Sequence, residues 1–118
     1  MPSGITRRRL LASGILYVGG FALYACAEEP GSTIVDQLVP LPAAATVGRA
    51  YLASNPVEND AGYLAGLLSL DRSWALIEEE IREDYRDGRI ARVSGWPLSI
   101  TEARIFALAS LRRGPAGY

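Results

Sequence analysis

The sequence predicts a mainly α-helical protein, a small bundle of about four helices with one short strand or extended segment. Three observations lead to this prediction. Apolar residues recur at intervals of three and four over most of the chain after residue 42. Helix-start signals, such as Pro in a first turn or a capping box, precede these stretches. Only one stretch, residues 89–93, alternates polar and apolar residues as a strand does.

Composition excludes several classes of function. The chain has 118 residues, no His, one Cys, and 12 basic residues, all Arg, against 13 acidic ones. Without His there is no Ser-His-Asp relay and no imidazole metal site. One thiol cannot build a zinc cluster, an iron–sulfur site or an internal disulfide. The formal net charge of −1 argues against nucleic acid as a partner, because phosphate binding needs a basic surface.

Residues 1–27 have the three-part pattern of an export signal. A short polar start leads to an Arg cluster, followed by a mostly apolar run that continues to Ala25. This run contains glycines and is shorter than the ~20 residues that span a bilayer. Ala25-Cys26-Ala27 has the small-x-small pattern that suits signal peptidase, and a cut after Ala27 would leave Glu28 as the first residue. An uncut signal that serves as an amphiphilic anchor is the alternative.

The Arg cluster resembles the twin-arginine translocation signal, whose pattern is Ser/Thr-Arg-Arg-x-Phe/Leu-Leu. The residues that match are Thr6, Arg7, Arg8, Leu10 and Leu11, while Ala12 stands where a Lys is frequent. The resemblance implies export by the twin-arginine translocase, which carries proteins that folded in the cytoplasm. An ordinary secretory signal that contains three Arg is the alternative.

Cys26 gives the signal a second interpretation. Leu23-Tyr24-Ala25-Cys26 resembles a bacterial lipobox, in which the Cys becomes the acylated first residue of a lipoprotein. Lipidation would place the protein on a membrane, although a single acyl chain gives only marginal anchoring. Cleavage after Ala27 would instead remove the only thiol. Both interpretations stay open.

Residues 28–41 are predicted to form a tether, with a preference for extended structure. Pro30 and Gly31 open this segment, and Pro40 and Pro42 interrupt regular structure at its end. Residues 42–118 then form the helical domain. The exported part, about 90 residues, is long enough for one small core and too short for two domains.

Two helices open this domain. The first covers residues 42–53, where Pro42 suits a first-turn position and an Ala-rich stretch has high helix propensity. The second begins at Asn55-Pro56-Val57-Glu58, which combines an N-cap Asn, Pro at the first helical position and Glu at the third. It continues to Leu68, and its apolar residues are Tyr63, Leu64, Leu67 and Leu68.

The third helix, residues 71–86, has the clearest periodicity. Trp74, Ile77, Ile81 and Tyr85 form one apolar stripe, and Gly88 is its expected left-handed cap. Residues 89–93 form the strand before a turn at Ser94-Gly95. The last helix begins with the capping box of Ser99-Ile100-Thr101-Glu102 and runs to about Arg113.

The acidic residues of the third helix do not predict catalysis. Glu78-Glu79-Glu80 and Glu83-Asp84 are consecutive, and a helix spreads consecutive residues around its axis at ~100° each. They are therefore predicted to be a solvated face, with no catalytic, cofactor-binding or metal-binding residue among them. Ser94 and Ser99 have no basic partner that would make either a nucleophile.

The last helix is unusually apolar. Within residues 103–111 only Arg104 and Ser110 are polar, so the helix is either the central core element or a core element with one face against another protein. A Gly-Trp-Pro corner at residues 95–97 precedes it. For the second alternative, the predicted partner contacts are Trp96, Ile105, Phe106 and Leu108.

Taken together, the twin-arginine signal, the tether, the small helical domain and Gly95-Trp96-Pro97-Leu98-Ser99-Ile100-Thr101-Glu102-Ala103-Arg104 resemble the small accessory subunits of bacterial periplasmic flavin dehydrogenases. Such subunits accompany a large flavoprotein that oxidises sorbitol, fructose, gluconate or glucose. The resemblance implies that this chain has no catalytic residues and no cofactor, and that FAD is in the large subunit. It also implies that the chain supplies the export signal and helps its partner mature, in the periplasm or on the periplasmic face of the inner membrane.

A function of another class remains as the alternative. The chain would then be a stand-alone exported lipoprotein or helical binding module, held by Cys26 and without an enzyme partner. In either case, membrane association would come only through the signal, a lipid or the partner.

Overall fold

The computed structural model describes residues 15–18, 21–24 and 28–114, with side chains from residue 28 onward. Strands β1 (Ile15–Val18) and β2 (Phe21–Tyr24) pair antiparallel within the segment predicted as the signal. Helices dominate the chain from residue 31 onward, which confirms the predicted mainly α fold. The elements there are α1 (Gly31–Leu38), α2 (Pro42–Ser54), a 3₁₀ turn (Pro56–Glu58), α3 (Ala61–Leu68), α4 (Trp74–Asp87), β3 (Ile90–Val93), β4 (Trp96–Ser99) and α5 (Ile100–Arg113).

The predicted tether is wrong for the residues that form α1. Ile34, Val35 and Leu38 lie on one face of this helix and are fully buried in the core. Pro30 does not interrupt the helix, because it is the N-cap residue with an extended backbone, where no intrahelical N–H is needed. The burial of this apolar face stabilises a segment whose residues alone have little helix propensity.

The last helix lies at the centre of the domain. α5 packs against all four other helices of the domain and against the β3–β4 hairpin, and its most extensive contact is with α2. Gly48 of α2 permits this close packing, since a Cβ atom there would lie 2.2 Å from the carbonyl oxygen of Phe106. The first of the two alternatives for α5, a central core element, therefore describes this fold.

The second predicted helix begins later than its sequence signals indicated. Residues 56–58 form a 3₁₀ turn, and α3 begins only at Ala61, with Asp60 as the N-cap that accepts a hydrogen bond from the Tyr63 N–H. The Asn55 side chain does not cap the 3₁₀ turn. Asn55 is instead the C-cap residue of α2, and its side-chain amide donates to the Tyr51 carbonyl in the last turn of that helix at 2.9 Å.

The helix predicted over residues 71–86 begins three residues later, at Trp74, with Ser73 as its N-cap residue. The later boundaries agree with the local sequence signals. α4 ends at Gly88, which has φ +76°. Ser94 and Gly95 both have positive φ and join β3 to β4 as a two-residue hairpin turn, with Val93 opposite Trp96. The capping box is formed, since Ser99 Oγ accepts from the Glu102 N–H while Glu102 accepts from the Ser99 N–H.

Candidate partner-contact site

Two carboxylates of α4 are buried, contrary to the prediction that its acidic residues form a solvated face. Glu78 is 8% exposed and Asp84 is 1% exposed. Asp84 is buried because it faces the N-terminus of α5, where its Oδ2 accepts a hydrogen bond from the Thr101 N–H at 3.0 Å. Its Oδ1 accepts from Arg89 Nε at 2.8 Å. Asp84 thus joins α4, the start of the hairpin and α5, at a helix end that favours negative charge.

A second carboxylate fixes the other end of the hairpin. Glu102 Oε1 accepts the Ser99 N–H at 2.8 Å, and it also accepts the hydroxyl hydrogen of Tyr85 from α4. The Ile100 N–H donates to the Arg89 carbonyl at 3.0 Å, which ties the two ends of the hairpin together. The β3–β4 hairpin is therefore anchored at its base to both flanking helices.

The anchored hairpin presents an aromatic side chain to solvent. Trp96 lies directly after the turn and is 54% exposed, while Val93, its cross-strand partner, is 4% exposed. Ile90, at the start of β3, is 37% exposed. A large aromatic on a rigid two-stranded element is suited to contact another protein, because little conformational entropy is lost on binding.

The structure does not expose all four of the residues predicted to contact a partner. Ile105 and Leu108 are 4% and 1% exposed, and they belong to the core around α5. Phe106 is half-buried and packs against that core. The prediction is therefore wrong for Ile105 and Leu108. The surrounding elements cover these positions of the helix, so they are not available to a partner. Trp96 is the exposed member of the set.

Sequence analysis missed a second group of exposed apolar side chains. Tyr63 and Leu67, one turn apart on α3, are 48% and 41% exposed, whereas Leu64 and Leu68 are buried. At ~100° per residue these four apolar positions span one face about 140° wide, so the helical pattern alone did not show that Tyr63 and Leu67 are exposed. Two further side chains of this kind are Val57 and Leu76.

An open groove of about 550 Å³ lies between the C-terminal parts of α2 and α5. Leu52, Pro56 and Leu111 supply apolar lining, and Asn59 adds an amide. Its one charged lining residue is Arg49, which forms no ion pair with the residues that the structure describes. The groove is open to solvent, and its lining does not provide a pair of groups for acid–base catalysis.

A hydrogen-bonded cluster fixes the 3₁₀ turn beside this groove. Glu58 Oε1 accepts from the Tyr51 hydroxyl at 2.8 Å and from Arg104 Nε at 3.0 Å. The hydrogen bond from Arg104 is the main cause that lowers the pKa of Glu58, and burial is the main cause that raises the pKa of Tyr51 to about 12. The cluster links the turn to α2 and α5.

We expect the Glu58→Gln variant to be less stable than the native protein at neutral pH by about 1 kcal/mol. Because the fold lowers the Glu58 pKa below its ordinary value of 4.5, the contribution of this carboxylate is fully present above pH 4.5. It is lost as the pH falls through the lowered pKa. Urea unfolding at several pH values should therefore show the two proteins converging in acid, and a difference that does not depend on pH would contradict this account.

The remaining predicted site residues cannot be placed. Arg7, Arg8, Leu10, Leu11 and Cys26 lie outside the described residues. Within the described part of the chain, no three His, Cys, Asp or Glu side chains are arranged to hold a metal ion, and no helix has the length and hydropathy needed to cross a membrane.

Comparison with known proteins finds no matching family model, no similar curated protein and no similar solved structure.

Proposed function

We propose that this chain is a non-catalytic small subunit that accompanies a larger periplasmic flavin-dependent dehydrogenase through the twin-arginine pathway and helps it assemble. The observation that carries the proposal is the match of Thr6-Arg7-Arg8-Arg9-Leu10-Leu11 to the twin-arginine pattern, followed by a short apolar run. FAD and the catalytic residues would belong to the large subunit, which would cross the membrane by means of this chain's signal.

Two features of the fold support this proposal. Residues 31–113 form one helical domain around a single core, which is the kind of folded cargo that the pathway transports. The anchored hairpin leaves Trp96 exposed, and an exposed Trp on a fixed element is the kind of residue that a larger protein would contact under this proposal. Of the four residues predicted to contact a partner, Trp96 is the most exposed, so the proposed contact depends chiefly on it.

Export should depend on the Arg pair. We expect Arg7→Lys combined with Arg8→Lys to hold the precursor in the cytoplasm, because the receptor recognises guanidinium geometry that an ammonium group cannot reproduce. Arg9→Lys is the matched control, since residue 9 is the unspecified position of the pattern, and it should leave export unchanged. Fractionation followed by immunoblotting measures the distribution. Undiminished periplasmic protein in the double variant would show that the general secretory route is used.

Trp96→Ala should remove the partner and leave the domain folded. The side chain is more than half exposed, so its truncation should change the Tm by only a few degrees. Loss of a hot-spot Trp costs ~2 kcal/mol or more of binding, roughly a 30-fold lower affinity. Leu76→Ala is the control, because Leu76 is 57% exposed in the first turn of α4, whereas the hairpin is anchored at Asp84 and Tyr85 near the other end of that helix. Co-purification of the large flavoprotein with the tagged chain from its native host is the measurement, and an unfolded variant or normal co-purification would exclude Trp96.

A second candidate function is a stand-alone exported binding module, and the groove beside Arg49 favours it. The same purification distinguishes the two functions. Recovery of a large flavoprotein with the chain supports the subunit proposal, whereas recovery of the chain alone supports the binding module. A neighbouring gene for a flavin oxidoreductase without its own export signal would favour the subunit proposal.

A further inference from the structure

We propose that residues 55–59, which we call the turn segment, open as a unit while the rest of the domain stays folded, and that the ion pair of Glu58 with Arg104 holds them closed. Opening would remove the wall of the groove that Pro56 and Asn59 form, and would widen the groove beside Leu52. This inference concerns the folded domain alone, so it depends on neither the export signal nor a partner subunit.

The turn segment contributes no residue to the hydrophobic core. The 3₁₀ turn that it contains, Pro56–Glu58, has no buried residue, and Val57 is 87% exposed. Asn59 is exposed as well. The free-energy cost of opening a segment grows with the apolar surface that becomes exposed. A segment with so little buried surface can therefore open at a much lower cost than the whole domain.

Breaks in the helical hydrogen bonding separate the turn segment from the helices on both sides. Pro56 has no N–H to donate, and the backbone is non-helical at Asn55 (φ −136°, ψ 62°) and at Asn59 (φ −78°, ψ 66°). The N–H groups of Glu58, Asn59 and Asp60 donate to carbonyls of the turn segment itself, at 2.8–3.1 Å. These bonds fix the shape of the turn and do not attach it to α5.

Glu58 provides the attachment to the central helix. Within the part of the chain that the structure describes, the only hydrogen bonds between the turn segment and α5 are those of Glu58 with Arg104. Oε1 accepts from Arg104 Nε at 3.0 Å and Oε2 accepts from Nη2 at 3.2 Å, so the guanidinium binds both carboxylate oxygens. The Glu58 and Arg104 side chains are 14% and 27% exposed, which limits the screening of the pair by water. Loss of this pair would leave the turn segment without a hydrogen bond to α5.

Hydrogen exchange of single amides, measured by NMR on the full-length chain in a mild detergent, tests the proposal. The N–H groups of Glu58, Asn59 and Asp60 report opening of the turn segment, and the central amides of α5 report global unfolding. In the native chain the turn-segment amides should exchange faster than those of α5. Low concentrations of urea should accelerate only the α5 amides, because a small local opening exposes little surface. Glu58→Gln should accelerate the turn-segment amides about fivefold without making their rates depend on urea.

Glu80→Gln is the matched control. It removes a carboxylate of α4 that lies 2.8 Å from Arg72, and opening of the turn segment leaves that ion pair intact. The turn-segment amides should therefore exchange at the native rate in this variant. Arg104→Gln should reproduce the effect of Glu58→Gln, and the double variant should add little to either single change. Circular dichroism verifies that each variant is folded.

Three results would overturn the proposal. If urea accelerated the turn-segment amides as strongly as those of α5, the segment would open only when the whole domain unfolds. Unprotected exchange of these amides in the native chain would mean that the segment is not held closed. Equal turn-segment rates in the Glu58→Gln and Glu80→Gln variants would mean that the pair with Arg104 is not what holds it. The first two results come from the native chain, so they do not depend on whether a variant folds.

Discussion

Replacing Gly48 by Ala should destabilise the domain by about 3 kcal/mol or more. The added Cβ would lie 2.2 Å from the Phe106 carbonyl oxygen and 2.8 Å from Ser110 Cβ. The nearest atoms belong to the α5 backbone, so no rotamer change relieves the overlap and α2 must move away from the central helix. For a domain of this size such a loss lowers the Tm by roughly 12 °C or more, which calorimetry measures directly.

Gly66→Ala is the matched control for this prediction. Gly66 is also a helical glycine, in α3, but a Cβ atom there meets nothing within 4 Å. The change should therefore stabilise the domain by about 0.5–1 kcal/mol, because Ala has the higher helix propensity. If both variants had similar stability, the close approach of α2 and α5 would not be what requires glycine at residue 48.

Replacing Asp84 by Ala should be nearly as damaging, with a loss of about 2–3 kcal/mol. The carboxylate is buried and is the acceptor for the Thr101 N–H, which as a first-turn donor of α5 has no partner within its own helix. Arg89 is half exposed and can regain water, so most of the cost comes from the buried N–H group. Urea unfolding measures the change in the free energy of unfolding.

The control for Asp84 uses the second carboxylate that binds the same arginine. Asp87 Oδ2 lies 2.9 Å from Arg89 Nη1, but its side chain is 58% exposed. Asp87→Ala should therefore change stability by about 0.5 kcal/mol or less. Asp84→Asn keeps one oxygen for the Thr101 N–H and should recover part of the loss. Equal effects at the two positions would show that the Arg89 ion pairs, and not the cap of α5, stabilise this corner.

The sequence by itself determined the features that depend on neighbouring residues. The left-handed cap at Gly88, the hairpin turn at Ser94-Gly95 and the capping box of Ser99 and Glu102 are all formed where the sequence predicts them. Each depends on backbone conformations and hydrogen bonds within about four residues, so a local pattern contains the necessary information. The export motif is likewise a property of the sequence, and it is what carries the functional proposal.

The tertiary structure decided which residues are buried, because burial depends on segments that are distant in the chain. Residues 31–38 form a helix since their apolar face has a core to pack against, although the flanking prolines predicted a tether. Asp84 is buried because the N-terminus of α5, 17 residues later, needs an acceptor. Leu108 is covered by the surrounding elements, while Trp96 at the hairpin turn is left exposed. No local pattern distinguishes those two apolar side chains, since only the packing of the whole domain sets which of them another protein can reach.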